Sequence, residues 1–439
     1  MIKLPRRYYY GWFVLAAAVG VMFANAASAE GMLTVFINPM TREFGWSRTE
    51  IVGAISLGGI LGAVIAPLAG RLVDIMGARL LLTVGGLVIA AACVSLSLVH
   101  TLVAFYVTFI FFTIADQGLI KIGSTATVGK WFRRYRGRAV GIVIFGSAAG
   151  IMILAPTAQL IIGQWGWRAA WLSLSAIMIV LGVIPCALLV RRQPEDLGLY
   201  LDGIPPENTS QNAGPGSNVT TSTSSVEEEA WTLGQVMKKP SFYLVLAALI
   251  LVGAASSGPQ VHLVPYLTQR GLSTTASVSA ISVIYSVGAA VSLISGVLSE
   301  RISPKVLLFL VCLVCALSML VLFTADTLWE AYLFAAMQGI VKQGVNTLVP
   351  LTWAEFFGRA SLGSIFGISK TAWVAGSAVG PLILGVVFDA TGSFQGTLFY
   401  FSILAGLASL MVFAARRPHR PAPGQEPSGL IVLPTESDD

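Results

Sequence analysis

Long apolar runs separated by short polar or Gly/Pro-containing breaks fill most of this 439-residue chain. Divided at those breaks, they give twelve spans, at about 10–37, 48–72, 79–98, 102–130, 138–163, 168–190, 241–267, 275–298, 304–324, 328–351, 362–388 and 395–415. Each meets or exceeds the roughly 20 residues a helix needs to cross a bilayer. The runs are continuous and do not alternate, which argues against an outer-membrane barrel. The pattern predicts an all-α membrane protein of twelve transmembrane helices in two six-helix bundles, at 1–191 and 241–416. Between them lies a polar linker, 192–240, and after them a tail, 417–439.

Composition agrees. Only 11% of residues are charged, against about 25% in a soluble domain. Asn208 to Ser225 is rich in Ser, Thr, Asn and Gly and reads as a flexible connection. Glu227–Glu229 followed by Trp231-Thr232-Leu233 suggests a short amphipathic helix on the membrane surface or a solvated charge run. The four cysteines, Cys93, Cys186, Cys312 and Cys315, fall inside apolar runs and read as packing, not as a disulfide framework or metal site. With the N-terminus inside, 20 of the 27 Lys+Arg fall in inner segments and four, Arg42, Arg48, Arg168 and Arg270, outside. That bias places both termini in the cytoplasm, and the inner (plasma) membrane is the expected location.

Three lysines remain inside the spans: Lys121, Lys342 and Lys370. A charge there costs roughly 2.5–3.5 kcal/mol on insertion scales. Two of them belong to a repeat, Gln117-Gly118-Leu119-Ile120-Lys121-Ile122-Gly123 in the fourth span and Gln338-Gly339-Ile340-Val341-Lys342-Gln343-Gly344 in the tenth. A second echo follows each. Trp131-Phe132-Arg133-Arg134 with Gly137 and Gly141 answers to Phe356-Phe357-Gly358-Arg359 with Gly363 and Gly367. Six spans, a linker and six spans with matched internal motifs indicate a duplicated unit.

A further motif runs from Gly70 through Asp74 and Gly77 to Arg79, between spans two and three, with a weaker partner at Gly296–Arg301 between spans eight and nine. It resembles the signature loop of the major facilitator superfamily, G-x-L-x-D-x-x-G-x-R/K, and the resemblance covers about 8–416. It implies a conformational latch of Gly70, Asp74, Gly77 and Arg79. Asp74 is expected to meet the start of the eleventh helix and the arginines of the 130–138 loop, Arg134 and Arg138 among them. Tyr8-Tyr9-Tyr10-Gly11-Trp12, Phe44-Gly45-Trp46-Ser47, Trp131 through Gly137 and His262-Leu263-Val264-Pro265 are similar to the bacterial monocarboxylate and oxalate/formate porters. Those exchangers carry a lysine in helix eleven, a position matched by Lys370. They usually also place an arginine in helix eight, where Ser277–Leu298 carries no charge, so their substrate mode does not transfer whole.

The residues themselves point to an anion. Residues four apart share a helix face, so Gln117 with Lys121, and Gln338 with Lys342 and Asn346, form two polar stripes that cannot face lipid. Substrates of such folds bind near the midplane between the halves, and ammonium, amide and hydroxyl donors suit a carboxylate. Asn25 and Tyr285 are further candidates for the wall. Asp116, five residues from Lys121, is expected off that face with any partner on another helix. Glu30, Asp116 and His262 are the candidate proton carriers. The alternative for each lysine is a structural ion pair with Asp116 or Glu30.

The reading is a secondary transporter of small organic anions, mono- or dicarboxylates, working by exchange or proton symport. No P-loop appears, no metal or cofactor is implied, and no catalytic constellation suggests an enzyme. A drug or cation efflux pump, which wants acids at the midplane, is the alternative within transport. A non-transporting sensor lacks room for a signalling domain. A monomer that binds no nucleic acid is expected.

Overall fold

The computed structural model describes residues 9–28, 30–203, 231–391 and 393–418. The side chain of Glu30, the Asn208–Ser225 connection, Glu227–Glu229 and the tail beyond Pro418 lie outside that description. Among the described residues all regular structure is helical. In order these are α1 (Gly11–Ala24), α2 (Glu30–Phe44), α3 (Arg48–Met76), α4 (Ala78–Ser97), α5 (Leu102–Ile114), α6 (Ile122–Trp131), α7 (Arg136–Ile177), α8 (Ile184–Leu189), the short α9 (Leu233–Val236), α10 (Pro240–Gln269), α11 (Thr274–Leu298), α12 (Pro304–Phe323), α13 (Leu328–Phe357), α14 (Leu362–Thr391) and α15 (Gln395–Ala414).

Ten stretches are long and apolar enough to cross a membrane. One of them, Arg136–Leu189, leaves helical geometry at Gly166, where φ is +84°. It therefore supplies two crossings, the fifth and sixth spans. The tenth span is α13, whose 30 residues exceed membrane length but carry the polar stripe. The count is thus consistent with twelve. The first span is longer than expected and broken. A 3-10 turn at Asn25–Ser28 separates α1 from α2. The fourth span is also broken: α5 passes into α6 through a π-helical stretch, Ala115–Lys121.

Helix starts follow local chemistry. Ser47 with Glu50 and Thr327 with Glu330 form capping boxes at α3 and α13, each tying up N–H groups that a first turn leaves open. Beyond the Gly166 turn, Trp167 Nε1 and Arg168 both bond Glu43 at 2.6 Å, clamping the end of α2 to that turn. These bonds hold the Glu43 carboxyl below its usual range, the Trp167 hydrogen bond most of all.

Helices α1–α8 pack together and α10–α15 pack together, and they meet along two seams: α3 on α14 and α7 on α11. These are spans two on eleven and five on eight, the pairs that a twofold relating the halves interchanges. Backbone contact carries both seams. A Cβ on Gly70 would lie 2.2 Å from the Gly363 carbonyl oxygen, and one on Gly137 would lie 2.2 Å from that of Gly296. Gly367 against Ala66 and Gly141 against Ser292 extend the two contacts. The paired glycines of the second sequence echo are therefore the seam residues, as small residues in membrane interfaces commonly are.

The signature loop itself turns at Gly77, at φ +81°, which ends α3 and begins α4 with no residue between. A side chain is strained there.

Candidate functional site

The site has a cluster of contacts between the halves at the end rich in basic residues and a polar interior above it. At the basic end Asp74 accepts from the backbone N–H of Gly363 (3.2 Å) and Ser364 (2.8 Å) and from the Ser364 hydroxyl (2.8 Å). The start of the eleventh span is thus the target expected from the sequence. The basic partner differs: it is Lys130 Nζ, at 3.0 Å, and not the arginines of the loop. Lys130 stands in the last turn of α6, at the head of that loop, and so reaches Asp74 directly.

Arg138 belongs to the other seam. Its Nε meets Glu300 at 2.8 Å, and its backbone N–H donates to the same carboxylate at 3.1 Å. Glu300 thus does at the start of α7 what Asp74 does at the start of α14. Both carboxylates use the open N–H groups and positive end of a helix in the opposite half. The Arg134 side chain stands 5.7 Å from the Tyr135 ring, while its N–H bonds Asp202. Arg79 donates to the Ala187 carbonyl at 2.8 Å and stays within its own half. Neither reaches Asp74. Arg359 adds a further tie, donating to the Lys130 carbonyl and to Glu195. All these contacts sit at one end, so that end is closed.

In the interior, Lys121 Nζ lies 2.7 Å from Asp116 Oδ2, and Asn25 Nδ2 donates to Asp116 Oδ1 at 2.6 Å. The expectation that Asp116 and Lys121 point apart is overturned. An α-helix does separate residues five apart, but a π turn closes i→i+5 hydrogen bonds and brings them onto nearly one face. The π stretch begins at Ala115 and ends at Lys121, enclosing both residues. Asp116 is 2% exposed and Lys121 30%, so the carboxylate is sealed behind the ammonium, which stays accessible. The expectation of a partner on another element holds for Asn25.

The duplicated motif diverges in use. Gln117 packs its Cβ on Gly62 of α3, and its Oε1 is buried without a protein hydrogen bond. Gln338 is instead tied on both amide ends: Ser256 of α10 donates to its Oε1 at 2.7 Å, and its Nε2 donates to Ser318 of α12 at 2.9 Å. It is 2% exposed and braces three helices. Interhelical hydrogen bonds in membranes average about 0.6 kcal/mol and reach about 1.7. Gln338→Ala is therefore expected to destabilise by about 1–3 kcal/mol, read as a lower melting temperature in detergent. The glycines do keep matching duties. Gly118 and Gly339 admit α3 and α11, while Gly123 and Gly344 admit α4 and α12.

Lys342 Nζ lies 4.9 Å from the centre of the Tyr285 ring and 3.5 Å from its hydroxyl. Asn346 is turned to Gln343, donating to its Oε1 at 3.1 Å. Lys370 is half-buried on α14. Its neighbour Thr371 crosses the seam and donates to the Ala63 carbonyl at 2.5 Å. That carbonyl is open because Pro67, four residues on, has no N–H to give it. Residues Gly62 and Ala63 thus touch the Gln117–Lys121 segment on one side and hold the Lys370 turn on the other. The sequence signal for this contact was a proline inside a span. Pro381 behaves alike: it leaves the Ser377 carbonyl open, and Ser257 donates to it at 2.9 Å. His262 sits in this same α10–α14 contact, 3.3 Å from the Pro381 carbonyl, with its ring tilted at 39° to Phe394, 5.8 Å between centroids. Glu30 opens α2. Among the described residues no group of His, Cys, Asp and Glu is arranged to hold a metal.

Comparison with known proteins agrees with this architecture. Residues 14–334 match the model of the Major Facilitator Superfamily. The chain is 24% identical to monocarboxylate transporter 12-B of Danio rerio, covering 92% of this chain and 87% of that protein. It is 25% identical to monocarboxylate transporter 11 of Mus musculus (90% and 86%) and 23% identical to human monocarboxylate transporter 2 (88% and 81%). Among solved structures, the fold matches a major facilitator transporter, FucP, in the outward conformation, with TM-score 0.70 and 13% identity, covering 93% of this chain and all of that one. The human organic anion transporter MFSD10 (TETRAN) gives 0.68 at 13% identity with the same coverage. With two helical halves meeting on paired seams, ion pairs closing one end and charged groups inside, this chain is a multi-pass membrane transporter of the major facilitator superfamily, and not an enzyme.

Proposed function

We propose that the protein carries a small organic anion, a monocarboxylate in the first instance, together with a proton, by alternating access. The observation that carries this reading is the pair of Asp116, buried, and Lys121, accessible, on one face of the π turn. Asp116 occupies the ammonium as an internal carboxylate. A proton delivered to Asp116 ends that hold and leaves Lys121 to a substrate carboxylate of the same chemistry. Proton and anion then enter as a neutral pair, which suits passage through a closed, low-dielectric intermediate. Lys342 over Tyr285 and Lys370 beside the seam supply further positive groups. The named relatives are monocarboxylate transporters, which favours the same substrate class.

Asp116 is the fully buried acid among the described residues, and Lys121 and Asn25 already hold it. This weighs against a cation efflux pump, which needs an acid for its cargo. By the positive-inside rule the closed, basic end is cytoplasmic, so the described state opens outward and the membrane is the inner (plasma) membrane. The halves 1–191 and 241–416 rock as units about a linker at 192–240, and the transporter acts as a monomer.

The test is uptake of labelled mono- and dicarboxylates into proteoliposomes of the full chain. Monocarboxylate uptake is expected to accelerate with an inward proton gradient. It should fall by about tenfold or more, the loss of roughly 1.4 kcal/mol of binding, in Lys121→Gln and Lys342→Gln. Uptake that needs internal anion and ignores the proton gradient would instead mark exchange. Unchanged uptake in Lys121→Gln, Lys342→Gln and Lys370→Gln alike would remove the site.

A further inference from the structure

The face of α1 turned away from Asn25 carries an apolar stripe: Trp12, Ala16, Val19, Gly20 and Phe23, at helical spacing. Trp12 is 43% exposed. With Leu15 beneath, Ile142 of α7 on one side and Leu181 on the other, the stripe lines a slot of about 490 Å³. That lies within the ~300–1,000 Å³ of ordinary ligand pockets. Its walls stand close to α1. A Cβ on Gly150 of α7 would lie 2.3 Å from the Phe23 carbonyl oxygen, and one on Gly20 would lie 2.4 Å from that of Leu181. The slot is a shallow, open groove, and it runs along a membrane-spanning helix.

The mouth of the slot is basic. The Trp12 ring lies 5.1 Å from Phe132 and 6.4 Å from Tyr135. Over the same Tyr135 ring stand the guanidinium carbons of Arg134, at 5.7 Å, and Arg138, at 5.5 Å. Both arginines are exposed. Arg138 shares its charge with Glu300, and Arg134 makes no ion pair among the described residues. An apolar slot parallel to the bilayer normal, a tryptophan at its end and two guanidiniums beyond fit a molecule with an acyl chain and an anionic head. A water-soluble anion would leave the slot unused.

We propose that this slot binds one anionic phospholipid, its chain along Trp12, Ala16 and Phe23 and its phosphate on Arg134 and Arg138. The full chain, purified in detergent, is titrated with phosphatidylglycerol and phosphatidylcholine of matched chains and read by native mass spectrometry. One phosphatidylglycerol is expected to bind about tenfold or more tightly than phosphatidylcholine. Arg134→Gln and Ala16→Trp should each abolish that preference, the first through the head and the second by filling the slot. Leu181→Trp repeats the filling test from the opposite wall should Ala16→Trp not fold. Equal affinity for the two lipids overturns the proposal. So does full binding in both filled variants, which would mean adsorption by charge alone, or displacement by soluble glycerol phosphate, which would mean a free-anion site.

Discussion

Lys121→Gln is expected to damage the protein more than Asp116→Asn, and the double variant is expected to be more stable than Lys121→Gln alone. The asymmetry follows from burial. Asp116 is sealed at 2% exposure, whereas Lys121 is 30% exposed and so keeps some contact with the aqueous interior. Removing the lysine leaves a buried carboxylate with Asn25 alone as its donor. Breaking a buried ion pair from one side typically costs about 3–5 kcal/mol. Removing the acid leaves an ammonium that the cavity still solvates, and the amide that replaces the carboxylate in Asp116→Asn keeps the shape that Asn25 contacts. A double-mutant cycle on thermal stability is expected to return a coupling of up to about 3 kcal/mol, since the two groups touch. Transport separates the roles further. Asp116→Asn should lose its response to the proton gradient yet still bind anion, while Lys121→Gln should lose binding. Additive stabilities and a proton response intact in Asp116→Asn would refute the assignment of the pair.

That pair also marks where the sequence stops informing. The all-helical membrane fold and the transporter family were legible, because apolar length and a signature loop survive without any knowledge of packing. Gly70, Gly137, Gly141, Gly296, Gly363 and Gly367 all stood in the sequence motifs, but their place on the seams comes only from the packing. The π turn was not. A helix buried on several sides has no polar phase along most of its length, so one extra residue in a turn leaves no mark in the apolar pattern. Yet that residue decides whether Asp116 meets Lys121. The same limit applies at the basic end. Lys130, Arg134 and Arg138 are crowded within nine positions, and only the direction of the last turn of α6 selects Lys130 for Asp74 and leaves Arg138 for Glu300. Gln338 shows a third kind of failure. Its match to Gln117 was real, but Ser256 and Ser318, which have no equivalents bonded to Gln117 among the described contacts, turn it into a brace.

A side chain at Gly363 or Gly70 is expected to shut down transport by denying the closed gate. A Cβ on Gly363 would stand 2.7 Å from the Gly70 carbonyl oxygen and 3.0 Å from Asp74 Oδ1. Neither neighbour can yield: one is backbone, and the other is fixed by Gly363 and Ser364 N–H and by Lys130. Gly363→Val therefore separates α3 from α14 and breaks the Asp74 contacts together. Hydrogen bonds to a charged group contribute about 1.5–3 kcal/mol apiece. Two of them approach the roughly 5.5 kcal/mol that carries a population from 99:1 to 1:99. Most helix packing lies within each half, so the variant is expected to remain folded but rest with the basic end open. Asp74→Asn should move in the same direction by less, because its amide oxygen still accepts from one N–H while the attraction of Lys130 is gone. Glu300→Gln, at the twofold-related seam, should match it in size, since Glu300 makes the equivalent bonds to Arg138. Spin labels at the exposed positions Met76 and Val306 read the separation of the halves at that end. The expected order of opening is Gly363→Val, then Asp74→Asn and Glu300→Gln, then the parent chain. A parent-like distance distribution with undiminished uptake in Gly363→Val would show that the two seams do not form the gate.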